Sequence, residues 1–241
     1  RRQCREHSVL DAADSGVGLK PGSLQIGSRG SPLALTQARA VAAMLGLGED
    51  AVQAFMTSGD RIQGRLQDAG GKGLFTKELD EALLDGRIAC AVHSMKDLPT
   101  RLPPGIVLAA VPAREDPRDG FIALKAKALA DLPKGATVGT ASLRRQAQTL
   151  HLRPDLQVDL LRGRVETRLA KIETGQVDAT YLALAGRKRL GLAQHAASIV
   201  DVEPMPPAPA EGARAITARA GESATVAALK AVDIEAFSIA T

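Results

Sequence analysis

The sequence predicts an α/β protein with two α/β domains, because strand and helix patterns alternate along most of the chain. Short apolar runs are followed, after a few loop residues, by segments with apolar residues at helical spacing. This rhythm stops at the charged segment 114–119 and then begins again, and a proline-dense segment at 203–210 marks a second boundary. We therefore expect residues 24–112 and 204–241 to form domain 1 and residues 113–203 to form domain 2.

Domain 1 is expected to contain four strands and two helices before the chain leaves it. Ser31 and Pro32 are typical of a helix N-cap and a first helical position, and Leu35, Ala38 and Val41 follow at helical spacing. A second helix is predicted at 76–84, with Leu79 facing inward. The predicted strands are residues 24–28, 51–56, 88–92 and 106–111.

Domain 2 repeats the alternation, although no residue-level repeat links the two halves. Its predicted strands are residues 121–124, 136–139, 156–160 and 179–184, and its predicted helices are 142–150, 165–174 and 184–190. After the proline-dense connector, a strand at 213–218 and a helix at 222–232 are expected. The short connections predict mostly parallel sheets covered by helices. Residues 1–23 have no apolar period and are expected to be a disordered tail.

Composition excludes several classes of protein. The formal net charge is only +4, which is too small to predict DNA binding, and the chain has no Trp and one Tyr, which disfavours base stacking on single-stranded nucleic acid. No apolar run has the length of a membrane span. No metal-ligand spacing appears. Cys4 and Cys90 lie far apart, so we expect no disulfide and a reducing cytosol.

An ionisable pair, Lys96 and Asp97, follows the predicted strand 88–92 and precedes Pro99. Proline ends the strand there, so the pair lies at its C-terminal end. Open α/β sheets bind their ligands at that edge. Asp97 is therefore a candidate catalytic residue, whereas His93 in the same segment is expected to be packed or hydrogen-bonded.

Cations recur at the ends of other predicted elements. Helix N-termini, glycines and hydroxyls favour the close approach of anions, and arginine adds bidentate contacts to carboxylates or phosphates. Each such turn alone is also compatible with an ordinary exposed loop. Together they predict a polyanion site between the two domains. The cation-bearing segments are residues 28–32, 70–73, 139–145, 161–168 and 187–189.

These motifs, taken together, resemble the hydroxymethylbilane synthase (porphobilinogen deaminase) family of tetrapyrrole biosynthesis. The resemblance covers roughly residues 24–200, in order and at the right spacing. It implies two periplasmic-binding-protein-like α/β domains with a cleft between them. The matching segments are residues 28–35, 70–79, 91–97, 114–119, 139–146 and 161–163.

The resemblance also implies a reaction and roles for residues. The family joins four porphobilinogen molecules head to tail with release of ammonia, on a dipyrromethane primer attached to a cysteine. Asp97 would be the catalytic carboxylate that stabilises the cation formed when ammonia leaves. The partner would be this small substrate, without nucleic acid or membrane, and the protein a cytoplasmic monomer. The residues implied in binding substrate or primer carboxylates are Arg29, Ser31, Lys72, Ser94, Lys96, Thr140, Ser142, Arg144, Arg145, Arg162, Arg168 and Arg189.

The chain also departs from the family pattern. The family carries its primer cysteine in a third domain, which we expect to be absent here, and neither Cys4 nor Cys90 matches the primer position. Residues 207–213 stand where the family has a Gly-Gln-Gly-like turn, and they match it poorly. Two alternatives to an active enzyme therefore stay open: a protein that binds porphobilinogen-like polycarboxylates without turnover, and a non-functional fragment.

Overall fold

Two five-stranded sheets organise the computed structural model, which describes residues 24–62, 73–192 and 198–240. Lys72 and residues 1–23 therefore lie outside the described part of the chain. The strands, in chain order, are β1 (Ile26–Arg29), β2 (Val52–Phe55), β3 (Cys90–Ser94), β4 (Ile106–Ala110), β5 (Asp119–Ala123), β6 (Thr137–Gly139), β7 (Gln157–Asp159), β8 (Ala179–Ala183), β9 (Ser198–Val200) and β10 (Arg214–Arg219).

Helices cover both sheets. Short 3₁₀ turns add residues Glu49–Ala51, Met95–Asp97, Leu129–Asp131 and Lys230–Val232. The α-helices are α1 (Pro32–Met44), α2 (Ser58–Arg61), α3 (Lys77–Leu84), α4 (Leu143–Leu152), α5 (Val165–Glu173), α6 (Leu184–Arg189), α7 (Ser223–Leu229) and α8 (Glu235–Ala240).

The two sheets have the same topology. The first has the order β2-β1-β3-β10-β4, and the second has the order β7-β6-β8-β5-β9. In each sheet four strands point the same way, and the fourth strand in that order runs antiparallel to both of its neighbours. The expectation of mostly parallel sheets is therefore met only in part. Four of the five strands in each sheet point the same way, but half of the strand pairings are antiparallel.

The reversed strands, β5 and β10, are those that follow the two crossings between the sheets. β5 begins at Asp119, just after the chain leaves the first sheet, and β10 begins at Arg214, just after it returns. We therefore propose the domain boundaries predicted from the sequence, with residues 24–112 and 204–241 as domain 1 and residues 113–203 as domain 2.

Each sheet is packed on both faces. In domain 1, α1 and α7 bury Val41 and Leu229 against one face, and α3 buries Leu79 and Leu83 against the other. In domain 2, adjacent residues of β5 separate to opposite faces, so that Phe121 joins one core cluster and Ile122 the other. Burial on both faces explains why four consecutive residues are buried in each of the inner strands β3, β5 and β8.

The helices after the first parallel strand of each domain begin in the same way. The Oγ atom of Ser31 accepts a hydrogen bond from the backbone N–H of Ala34 at 3.3 Å, and Pro32 is the first residue of α1. Ser142 caps α4 through the backbone N–H of Arg145 at 3.4 Å. Both helices thus begin at the C-terminal edge of their sheet, where the predicted cations lie.

Candidate active site

A cavity of about 100 Å³ opens between the C-terminal edge of the first sheet and helix α6 of domain 2. Domain 1 supplies its acid and most of its polar wall, and α6 supplies Arg189. The loop that returns from domain 2 adds Glu211. The predicted site residues that line this cavity are Arg29, Ser31, Ser94, Lys96, Asp97 and Arg189.

Asp97 closes the 3₁₀ turn Met95–Asp97 that follows β3. Strand β3 extends to Ser94, two residues beyond its predicted end, so the acid lies on a turn that faces the cavity. Its Oδ2 atom is 3.9 Å from Nη1 of Arg29, and 31% of the side chain is exposed. Burial raises the pKa of Asp97 above its ordinary value, and Lys96 and Arg29 oppose that rise. Such a carboxyl group takes up a proton more readily than an exposed one.

Arg29, the last residue of β1, is held in place from two sides. Its Nε and Nη2 atoms donate to the Asp60 carboxylate, and its guanidinium carbon lies 4.1 Å from the centre of the Phe75 ring. Asp60 also accepts from the Thr57 hydroxyl at 2.7 Å. Burial opposes ionisation of Asp60, but the hydrogen bonds from Arg29 and Thr57 hold its pKa below the ordinary value. These contacts leave Nη1 of Arg29 directed toward Asp97.

Lys96 forms an ion pair inside the cavity. Its Nζ atom donates to Oε1 of Glu211 at 2.8 Å. The Glu211 side chain is only 4% exposed, whereas that of Lys96 is 32% exposed. The ammonium group therefore contacts both a buried carboxylate and the cavity.

Gln37 connects the two walls of the cavity. Its Nε2 atom donates to Oγ of Ser94 at 3.1 Å, and its Oε1 atom accepts from Nη1 of Arg189 at 3.0 Å. Arg189 also donates from Nη2 to the backbone oxygen of Gly212 at 2.6 Å. Burial and the nearby Arg214 lower the pKa of Arg189 to about 10. Arg189 thus brings a cation of domain 2 against helix α1 of domain 1.

The arginines after β6 are arranged differently. Nε and Nη2 of Arg145 donate to the Asp119 carboxylate at 2.9 and 2.6 Å, and Nη2 of Arg144 lies 3.3 Å from the same group. The Asp119 side chain is only 2% exposed. Burial opposes its ionisation, but Arg145 and Arg144 hold the pKa of Asp119 below its ordinary value. Arg144 also donates to the backbone oxygen of Pro206 at 2.6 Å.

Arg168, also in domain 2, lies within the electrostatic influence of two other arginines. Its Nε atom donates to the backbone oxygen of Gly163 at 2.9 Å. Burial, followed by the charges of Arg145 and Arg162, lowers the pKa of Arg168 to about 10. The charges of Arg145 and Arg162 therefore disfavour the charge of Arg168, and an anion bound beside Arg168 would offset this effect.

The structure thus divides the predicted site residues into two groups. The second group lies in domain 2, apart from the cavity lining. Within it, Thr140 accepts a hydrogen bond from the backbone N–H of Ser142 at 3.1 Å, so both hydroxyls help to shape the turn into α4. Lys72 lies outside the described residues. The domain 2 group is Thr140, Ser142, Arg144, Arg145, Arg162 and Arg168.

Two other residues singled out in the sequence are buried near the site. His93 lies 2.9 Å through Nε2 from Oγ1 of Thr217, and burial followed by Arg29 lowers its pKa to about 4, as suits a hydrogen-bonded core residue. Cys90 is 0% exposed, and burial raises the pKa of its thiol to about 12. A thiol in this state is not a nucleophile. Cys4 lies outside the described residues.

Sequence reasoning missed Gln37, Asp60 and Phe75. Phe75 lies in segment 70–79, which resembles the family, and it is one of only four Phe in the chain. Its rarity could have identified it as a candidate site residue. Asp60 follows Thr57 at the spacing of a capping box. Gln37 lies on a helix and contacts Ser94, 57 residues away, so no local pattern could have identified it.

Comparisons with known proteins decide the family. A family model described as "Porphobilinogen deaminase, dipyromethane cofactor binding domain" matches residues 24–227. The chain belongs to the porphobilinogen deaminase family. The porphobilinogen deaminase of Caulobacter sp. (strain K31) is 56% identical over 229 residues, which are 90% of this chain and 72% of that protein. The expected family and enzyme class are therefore confirmed: a hydroxymethylbilane synthase, a transferase of tetrapyrrole biosynthesis.

The chain spans 66 to 72% of the length of four curated porphobilinogen deaminases that it matches. Among solved structures, immunogenic lipoprotein A from Vibrio vulnificus aligns with a TM-score of 0.51 at 13% identity, over 90% of this chain and 97% of that one. A periplasmic substrate-binding protein of an ABC transporter from Coxiella burnetii aligns with a TM-score of 0.49 at 16% identity, over 90% and 94%. The expected α/β fold class is confirmed, since the described residues form two five-stranded sheets covered by helices.

The described residues contain neither a membrane-spanning helix nor a cluster of metal ligands. None of the described helices is both long and apolar enough to cross a bilayer. Among the same residues, no three potential His, Cys, Asp or Glu ligands come together as a metal-binding group.

Proposed function

We propose that this chain catalyses the stepwise head-to-tail condensation of four porphobilinogen molecules, with Asp97 as the catalytic carboxylate. One observation carries the proposal: Asp97 lines a cavity that also contains Arg29 from domain 1 and Arg189 from domain 2. The reaction needs an anion beside a developing cation and needs cations for the acetate and propionate groups of the substrate. The cavity supplies both.

Each condensation breaks the bond between the aminomethyl carbon of porphobilinogen and its nitrogen, and ammonia leaves. The methylene carbon, now part of a cation delocalised over the pyrrole ring, bonds to the free α-carbon of the growing chain, and that carbon then loses its proton. The Asp97 carboxylate would accept a hydrogen bond from the pyrrole N–H and offset the positive charge. Because burial raises the pKa of Asp97, it is also suited to move a proton.

The cavity cations would hold the substrate by its carboxylates. Arg29 is oriented by Asp60 and Phe75, so little side-chain freedom remains to be lost on binding. Ser31 and Ser94 add hydroxyl donors at the same wall. For the cations of domain 2 we propose a role in holding rings already added. The charges of Arg145 and Arg162 near Arg168 favour an anion there.

The dipyrromethane primer of the family fits this donor set. Its acidic side chains would meet Arg29, Lys96 and Arg189, and its pyrrole N–H groups would meet Asp97. When bound, the primer supplies the pyrrole carbon at which condensation begins. The buried thiol of Cys90 does not provide its attachment point.

We also propose that the protein acts as a monomer in the cytosol on this small substrate. The described cavity is lined by residues of one chain, which is compatible with a monomer. A reducing compartment is compatible with the free Cys90 thiol.

The test is the Asp97→Asn variant of the purified protein supplied with porphobilinogen. Loss of a preorganised charge beside the transition state is expected to lower ammonia release by roughly 10²- to 10³-fold, with a smaller change in KM. The matched control is Asp85→Asn, which neutralises an exposed aspartate paired with Arg87 on the surface. It should retain the parental rate.

Two results would contradict the proposal in different ways. An Asp97→Asn variant that releases ammonia at the parental rate would remove Asp97 from the mechanism. A parent protein that binds porphobilinogen in calorimetry but releases no ammonia would support the binding-only alternative instead.

A further inference from the structure

Glu211 places a buried negative charge in a cavity that is otherwise suited to bind carboxylates. It lies three residues before the start of β10 and lines the cavity beside Lys96 and Asp97. Its side chain is 4% exposed, and its carboxylate accepts from Nζ of Lys96 at 2.8 Å. A substrate carboxylate that approaches Lys96 therefore competes with the Glu211 carboxylate for the same ammonium group.

The backbone of this turn holds Glu211 in place independently of its side chain. The backbone oxygen of Glu211 accepts from Nε of Arg114 at 2.9 Å, and its N–H donates to the oxygen of Ala208 at 3.0 Å. Ala210 has a φ of 56° and Gly212 a φ of 83°, and a Cβ atom on Gly212 would lie 2.3 Å from the backbone oxygen of Glu115. The turn does not depend on the carboxylate, so the effects of the charge can be separated from the shape of the loop.

The ion pair is expected to persist as long as Glu211 is ionised. Separating a buried carboxylate from its cation leaves an uncompensated charge, which is costly. Lys96, in contrast, is 32% exposed and would remain solvated without its partner. The pair therefore adds no net positive charge to the cavity. The Glu211 charge also reaches Asp97, where it adds to the effect of burial in raising the pKa.

We propose that Glu211 sets the affinity of the cavity for its substrate, because it neutralises Lys96 and so weakens the binding of the carboxylates of porphobilinogen. This inference rests on the proposed function. An enzyme that lengthens a polycarboxylate ring by ring gains nothing from holding every ring tightly at one place, since uniform binding does not speed the chemical step. The Glu211 carboxylate in the cavity wall would prevent such tight binding, because it pairs with Lys96.

The experiment measures the Kd of porphobilinogen by isothermal titration calorimetry for the parent, E211Q and K96Q/E211Q. In E211Q the ammonium of Lys96 is released to the substrate, and the affinity should rise by roughly 10-fold, the usual effect of one charge-assisted hydrogen bond. In K96Q/E211Q the gain should disappear. K96Q alone is avoided because it would leave Glu211 buried without a cation.

Glu49→Gln is the matched control. It removes a negative charge from an exposed ion pair, in which Glu49 contacts Arg39 at 3.0 Å outside the cavity lining. Its Kd should stay within about 2-fold of the parent, as for an exposed ion pair.

The outcomes separate this inference from the proposed function. The inference is overturned if E211Q binds no more tightly than the parent. It is also overturned if the gain in affinity survives in K96Q/E211Q or appears equally in Glu49→Gln. Failure of the proposed function is seen elsewhere, in unchanged ammonia release by Asp97→Asn.

Discussion

The C-terminal edges of the two sheets have the same topology but different chemistry. At the edge of the first sheet, Arg29 and Lys96 surround an acid, Asp97, that faces a cavity. At the edge of the second sheet, Arg144 and Arg145 surround an acid, Asp119, that is almost completely buried. Shared strand order and serine-capped helices bring cations to both edges. The position of the carboxylate decides whether they form an open site or a structural ion cluster.

The largest expected difference between the edges concerns turnover. Arg29→Met removes a cavity cation that faces Asp97 and should lower kcat/KM for porphobilinogen by roughly 100-fold, as expected for a lost charged contact. Arg168→Met removes a domain 2 cation and should lower it by roughly 10-fold, mainly through KM. Steady-state ammonia release measures both. Equal losses would mean that the two edges contribute equally to binding, and the contrast drawn above would be wrong.

The aspartates that bind arginines at the two edges, Asp119 and Asp60, should differ in their contribution to the free energy of unfolding. Asp119→Asn leaves Arg145 buried with its main anionic partner lost and should reduce the free energy of unfolding by about 3 to 5 kcal/mol. Asp60→Asn affects a quarter-exposed pair with Arg29 and should cost no more than about 1 kcal/mol. Urea unfolding followed by circular dichroism gives both values. A larger loss of stability for Asp60→Asn than for Asp119→Asn would contradict the view that the second edge, not the first, holds the structural ion cluster.

The acids should also give opposite pH dependence. The pKa of Asp119 is lowered in the folded state, so its stabilisation is present above its unfolded pKa and is lost as pH falls through the folded value. The pKa of Asp97 is raised, so its contribution is favourable at low pH and is lost as pH rises through the folded value. Between pH 4 and pH 7, the Tm of Asp97→Asn should therefore rise relative to the parent. A constant difference between the two Tm values would contradict the raised pKa.

The smallest expected effect concerns the turn before β10. Ala210 adopts a left-handed backbone conformation with φ 56°, which glycine tolerates better. Ala210→Gly should therefore raise the free energy of unfolding by about 1 kcal/mol, measured by urea unfolding. Ala208→Gly in the same connector is a suitable control, since Ala208 has no positive φ and the change should be neutral or destabilising. A loss of stability in Ala210→Gly would show that the conformation costs little.

Much of the fold was predictable because its elements carry strong local patterns. The helix that begins after Ser31 and the strands around Ile26 and Val138 were found within two residues of their bounds. β9 was missed because Ser198–Val200 is too short to show a period, and it exists through pairing with β5. The antiparallel pairings depend on where the chain crosses between sheets, which no local pattern records.

The site was predictable where a residue's chemistry follows from its place at a strand end. Asp97, Arg29 and Lys96 are of this kind. Contacts between distant segments were not predictable, so the ion pair of Lys96 with Glu211, 115 residues away, could not be foreseen. For the same reason, the sequence could not predict that Arg145 binds Asp119, which lies 26 residues away.

The return of the chain to the first sheet, where β10 is inserted, has a consequence for the order of events during synthesis. β10 lies between β3 and β4, so those two strands have no partner on their facing edges until residues 214–219 have been made. The second sheet contains only residues 119–200 and can close earlier. On the ribosome, the second sheet is therefore expected to form before the first sheet is complete. The first sheet, whose edge carries Asp97, is completed last, and until then its unpaired strand edges are a target for chaperones.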